Sequence, residues 1–77
     1  MNQMNMPGIA IRILQLLRES PRQTPKSIAG RLDASVSTIR NTLVILSDLG
    51  LVEARVRGLY EITPLGERLL KDAASAK

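Results

Sequence analysis

The sequence predicts a small α+β domain, mainly helical, with a single β-hairpin. Three observations predict it. Apolar residues recur with helical spacing in four segments. Between residues 52 and 62 the period falls to two, with Gly58 marking a turn. A threonine-proline pair, which suits a capped helix start, occurs twice, at Thr24-Pro25 and Thr63-Pro64. The expected order is helix, helix, helix, hairpin, helix.

Residues 1–6 are polar and methionine-rich, lack any period, and read as a flexible arm. The domain is expected over residues 7–74, with residues 75–77 frayed. Pro7 suits the first position of a helix, where its missing N–H costs nothing. Ile9, Ala10, Ile13, Leu14, Leu16 and Leu17 then follow helical spacing, with Arg12, Gln15, Arg18 and Glu19 between them. Ser20-Pro21 ends this helix, because a residue before proline is pushed out of the helical region.

Arg22-Gln23 reads as a plain connector. Thr24 caps a brief second helix that buries Ile28, Ala29 and Leu32. Asp33-Ala34 is a tight turn, and aspartate tolerates the left-handed conformation better than most residues. Ser35 caps the third helix, expected over about 36–49. There Val36, Ile39, Leu43 and Leu46 form one apolar stripe. Ser37, Asn41, Val44 and Asp48 project opposite, with Thr38 and Ile45 on one flank and Arg40 on the other. Gly50 sits where a left-handed C-cap is expected. Val52, Ala54 and Val56 then alternate with Glu53, Arg55 and Arg57, and Leu59–Ile62 returns as the second strand. The last helix carries Leu65, Leu69, Leu70 and Ala73.

Composition narrows the function. The 77 residues include neither cysteine nor histidine, so disulfides, thiolate metal sites and the usual general base near neutral pH are excluded. No two of the seven carboxylates form an evident catalytic pair, and no Gly-rich phosphate loop follows a strand. We therefore expect no enzyme, cofactor, metal or small-molecule substrate. The net charge of +4 favours a polyanionic partner. No apolar run reaches the ~20 residues of a membrane span, and no secretory leader is present, so a cytoplasmic protein with no membrane partner is expected.

The second and third helices, joined across Asp33-Ala34, form a helix-turn-helix pattern. In that arrangement one helix braces the other, whose first half faces outward. Short side chains at Ser37 and Thr38 permit close approach to base edges. Arg40 suits guanine and Asn41 suits adenine. The Thr24 and Ser35 hydroxyls, with the N–H groups at the helix starts, suit phosphate oxygens. Arg55 and Arg57, read as sharing one strand face near the hairpin tip, suit phosphates or a minor groove.

Thr24-Pro25-Lys26-Ser27-Ile28-Ala29-Gly30-Arg31-Leu32, followed by Ser35-Val36-Ser37-Thr38-Ile39-Arg40, resembles the helix-turn-helix of winged-helix transcriptional regulators. Leu46-Ser47-Asp48-Leu49-Gly50-Leu51-Val52 resembles the passage from their third helix into the wing. Tyr60-Glu61-Ile62-Thr63-Pro64-Leu65-Gly66 resembles the closing strand and last helix start of the multiple-antibiotic-resistance and PadR-like groups. The resemblance implies a regulator that binds double-stranded DNA, usually as a homodimer. It implies Ser35, Ser37, Thr38, Arg40 and Asn41 as recognition residues, and Arg55 and Arg57 as wing residues. Val44 and Ile45 depart from the pattern, since charge is usual there.

Each assignment has a plainer counterpart. Ser37, Thr38 and Asn41 also fit a solvated helix face. Arg55 and Arg57 also fit the guarding of an edge strand. Val44 and Ile45, projecting away from the core stripe, read as a partner interface rather than core. The rival function is therefore a winged helix used for protein–protein contact, an inhibitor or adaptor acting through Val44 and Ile45.

Overall fold

The computed structural model describes residues 8–75, and side chains as far as Ala73. The expected arm at 1–6, the helix start at Pro7 and the last two residues of the expected frayed end lie outside the described residues. Four helices and one antiparallel hairpin follow in the expected order: α1 Gly8–Glu19, α2 Pro25–Leu32, α3 Val36–Asp48, β1 Val52–Val56, β2 Leu59–Ile62 and α4 Pro64–Ser75.

Local chemistry sets the boundaries. Thr24 Oγ1 accepts the Ser27 N–H at 3.0 Å, and Pro25 opens α2. Asp33 closes it with φ 56° and ψ 49°, a left-handed conformation that few side chains accept. The end of α3 is a Schellman motif. Leu51 N–H donates to Leu46 O at 2.9 Å and Gly50 N–H to Ser47 O at 3.0 Å, with Gly50 at φ 78°. Thr63 caps α4, its Oγ1 accepting the Gly66 N–H at 3.0 Å.

The core is built from one stripe of each helix. Ala10, Ile13, Leu14 and Leu17 of α1 meet Ile28 and Ala29 of α2, with Ile39, Leu43 and Leu46 of α3. Leu51, Val52 and Leu70 complete it. Each fully buried leucine or isoleucine contributes about 1.5–3 kcal/mol relative to exposure. Thr42, also on the inner side of α3, is buried, and its hydroxyl donates to Thr38 O at 2.8 Å.

Two expectations require correction. Arg22-Gln23 is more than a connector. Gln23 N–H donates to Tyr60 O at 3.1 Å and Tyr60 N–H to Gln23 O at 2.8 Å, an antiparallel bridge on the free edge of β2. Arg22 reaches it through a left-handed φ of 62°. The buried Gln23 side chain is satisfied, donating to Ser20 O and accepting from the Ser27 hydroxyl. The second correction concerns the wing. Val52 pairs with Ile62 and Glu53 with Glu61, but Val56 pairs with Leu59, so Ala54 and Arg55 together oppose Tyr60 alone. This bulge breaks the period of two. Arg57 lies beyond β1, in the turn with Gly58. Since β1 ends at Val56, Arg55 and Arg57 do not share a strand face.

Candidate nucleic-acid interface

The candidate residues occupy three places: the starts of α2 and α3, the outward face of α3, and the hairpin. Ser35, with extended φ −75° and ψ 149°, holds the start of α3. Its Oγ accepts the Thr38 N–H at 3.1 Å and donates to Thr38 Oγ1 at 2.9 Å. The Ser35 hydroxyl hydrogen is thereby committed within the protein, while that of Thr38 is left for an outside acceptor. Thr24 Oγ1 likewise accepts a cap bond and retains its own hydrogen to donate.

Ser37, Thr38, Arg40 and Asn41 are all exposed. Their projection follows from the burial of Ile39, Thr42, Leu43 and Leu46 on the opposite side. Among the described residues the ion pairs are Arg22 with Glu61, 3.9 Å apart, and Arg55 with Glu53, 3.1 Å apart. Arg40 belongs to neither, so among the described residues no carboxylate holds its guanidinium. Arg57 is also exposed and outside both pairs. Arg55 is partly neutralised by Glu53, though at 73% side-chain exposure that pair is loosely held.

Val44 and Ile45 are both exposed, at 60% and 45%. The helix separates them. Val44 follows Arg40 by one turn and Asn41 by three residues, so it continues the outward face. Ile45 precedes Leu49 by one turn, and Leu49 is itself 53% exposed. Leu49 lines a shallow groove of about 280 Å³ with Leu51, Leu65, Arg68, Leu69 and Asp72. Sequence reasoning misses Leu49 and Leu65 as surface residues. A signal for Leu49 exists, since it lies four residues after Ile45. Leu65, at helical spacing with Leu69, reads as core but is 52% exposed. Among the described residues no helix is long and apolar enough to cross a membrane.

Known structures share this architecture. A MarR family protein from Bacillus stearothermophilus superposes with a TM-score of 0.82 at 19% identity, over 94% of this chain and 54% of that one. ZitR from Lactococcus lactis, as a cysteine-to-serine mutant, gives 0.82 at 22% identity, over 97% of this chain and 55% of that one. The transcriptional regulator BldR from Sulfolobus solfataricus gives 0.78 at 29% identity, over 94% and 55%. This chain spans about half the length of each. No curated protein matches it. The fold is thus the winged helix-turn-helix of MarR-like regulators. Residues 9–77 match the model of the HVO_A0261 N-terminal domain, and the chain belongs to that family.

Proposed function

We propose that the chain binds double-stranded DNA sequence-specifically, as the DNA-reading part of a transcriptional regulator, and that it does so in the cytoplasm without catalysing a reaction. The first half of α3 enters the major groove. Arg40 and Asn41 read base edges, Ser37 and Thr38 allow close approach, and the Thr24 and Thr38 hydroxyls donate to phosphates. The N–H groups at the start of α3, held by the Ser35 cap, favour a phosphate there. Arg57, at the tip of the wing, and Arg55 behind it contribute charge to the backbone. Val44, one turn beyond Arg40, meets a thymine methyl group, the apolar feature of the major groove.

The observation that carries this reading is the outward face of α3. Ser37, Thr38, Arg40 and Asn41 are exposed together on a helix fixed from behind, and Arg40 is free of any carboxylate among the described residues. A net charge of +4 agrees with it. BldR, 29% identical over nearly the whole of this chain, is a transcriptional regulator, which supports the same direction. The test is selection of duplexes from a random library by the purified chain, followed by titration of selected and scrambled duplexes over a range of salt. A selected motif, and affinity that falls steeply with salt on both duplexes, are expected. Absence of binding to any duplex at low salt overturns the reading.

A further inference from the structure

The hairpin is held unevenly along its length. Its root is fixed by the core, since Val52 is buried and Ile62 packs against the buried cluster. Its tip is not, because Val56, Arg57 and Gly58 are all exposed. Between root and tip the ladder is interrupted. After Glu53 with Glu61 the next pair is Val56 with Leu59, so Tyr60 faces the bulge and has no single partner in β1. A two-stranded hairpin is marginal in water by itself. One broken at mid-length leaves its outer half free to bend unless something else holds it.

Gln23 holds it. On the free edge of β2 its N–H donates to Tyr60 O at 3.1 Å, and its carbonyl accepts the Tyr60 N–H at 2.8 Å. The brace thus meets the hairpin at the residue that the hairpin's own ladder skips. The Gln23 side chain fixes the brace in turn. The residue is 7% exposed, its Nε2 donates to Ser20 O at 2.9 Å just after α1, and its Oε1 accepts from the Ser27 hydroxyl in α2. A buried amide gains nothing from leaving such partners, so it stays where they set it. The neighbouring pair of Arg22 with Glu61 is no substitute. It spans 3.9 Å with the Arg22 side chain 70% exposed, and pairs of that kind hold little.

We infer that Gln23 is a positioning residue for DNA binding: it aims the wing. Through it the hairpin tip, which carries Arg57, keeps a fixed place relative to the start of α2, which carries Thr24. The two then meet the DNA backbone in one register, with the ordering of the wing already done before binding. Gln23 is buried and touches no DNA itself. The inference rests on the proposed DNA binding and adds to it the device that sets the wing.

The experiment uses the full 77-residue chain and two variants. Gln23→Met keeps the length of the side chain and removes both of its hydrogen bonds. Ser27→Ala removes only one of them, at an exposed position, and so stays folded even where Gln23→Met does not. The first readout is amide exchange without DNA. In the variants the Tyr60 N–H should exchange faster than in the parent. The Thr63 N–H, which donates to Leu51 O at the hairpin root, should keep its parent rate. A change that merely destabilises the fold would speed both. The second readout is the salt slope on a selected duplex. Arg57→Gln should lower it by roughly 1 in the parent and by little or nothing in either variant. The preference for selected over scrambled duplex, set by α3, should persist. Tyr60 exchange that stays at the parent rate, or that rises together with Thr63, overturns the inference. A parent that binds no duplex at low salt removes the DNA reading and this inference with it. A parent that binds, while Arg57→Gln costs the same slope in every background, removes this inference alone.

Discussion

Ser35 and Thr38 bind each other twice: Ser35 Oγ accepts the Thr38 N–H at 3.1 Å and donates its own hydrogen to Thr38 Oγ1 at 2.9 Å. One serine thus ends the turn after Asp33, starts α3 and aims the Thr38 hydroxyl. Replacing it separates stability from binding. Ser35→Ala should lower stability by about 1 kcal/mol, the ordinary cost of a lost N-cap. Ser35→Asp should retain the cap, so that chemical denaturation matches the parent. It should nevertheless weaken DNA binding, because a carboxylate then occupies the phosphate-facing end of the helix. Equal DNA affinity for Ser35→Asp and the parent would remove phosphate from this helix start.

Arg40 and Asn41 should carry sequence specificity. Changing either to Ala should cost about 1–3 kcal/mol on a selected duplex and much less on a scrambled one. Both side chains are exposed, so the variants should melt with the parent. Equal losses on both duplexes would make these residues phosphate contacts only.

The wing arginines are not equivalent. Arg57 stands in the turn outside any described ion pair, whereas Arg55 is held by Glu53 at 3.1 Å. Arg57→Gln should reduce the salt slope by roughly 1, and Arg55→Gln by less. Glu53→Gln, which frees Arg55 and removes a negative charge, should tighten binding to any duplex. An unchanged slope for Arg57→Gln would leave the wing arginines as guards of the β1 edge.

Gly66 is required by packing rather than by backbone angle. A Cβ there would stand 2.4 Å from Leu51 O and 2.7 Å from Ile62 Cγ1. Leu51 O is backbone that already accepts the Thr63 N–H at 3.0 Å, so it has little room to retreat. Gly66→Ala should therefore destabilise the fold by about 1–3 kcal/mol, against the helix propensity gained, as read from denaturant midpoints. Gly30, with nothing within 4 Å of its Cβ position, is the control. Gly30→Ala should be neutral or stabilising.

What was legible in the sequence was local. Thr24-Pro25, Ser35 and Thr63-Pro64 announce helix starts because a cap acts within three residues of itself. Asp33 and Gly50 announce ends for the same reason. The outward face of α3 was legible because a buried stripe fixes the opposite side of a helix. What was not legible depends on partners far along the chain. Nothing near Gln23 indicates that it pairs with Tyr60. That the strand stops at Val56, which pairs with Leu59, depends on the register with β2, so alternation alone carries the strand on to Arg57 and sets it on one face with Arg55. Spacing likewise cannot tell that the start of α4 lies at the edge of the core, where Leu65 stays exposed. Val44 and Ile45, adjacent in sequence, read as one patch and are both exposed, though successive residues of a helix project about 100° apart.

Val44 offers the sharpest test of the proposed groove docking. At 60% exposure it is the most exposed large apolar side chain among the described residues, and it lies one turn beyond Arg40 on the outward face. An isolated valine there gains little in water, but against DNA it can cover a thymine methyl. Substituting deoxyuridine for thymidine, one position at a time, deletes that methyl and nothing else from the major groove. In a selected duplex, one such substitution should weaken the parent by about three- to ten-fold, comparable to the roughly 0.8 kcal/mol of a buried methylene and somewhat more. Val44→Ala should bind the thymine duplex as weakly as the parent binds the uracil one, and should gain nothing from restoring the methyl. The pair of changes forms a cycle, so a general loss of affinity in the variant cannot imitate the result. If every uracil substitution weakens parent and variant equally, Val44 does not face a base. If Val44→Ala instead leaves DNA binding unaltered and weakens association with a protein partner, Val44 belongs with Ile45 in the partner interface of the rival reading.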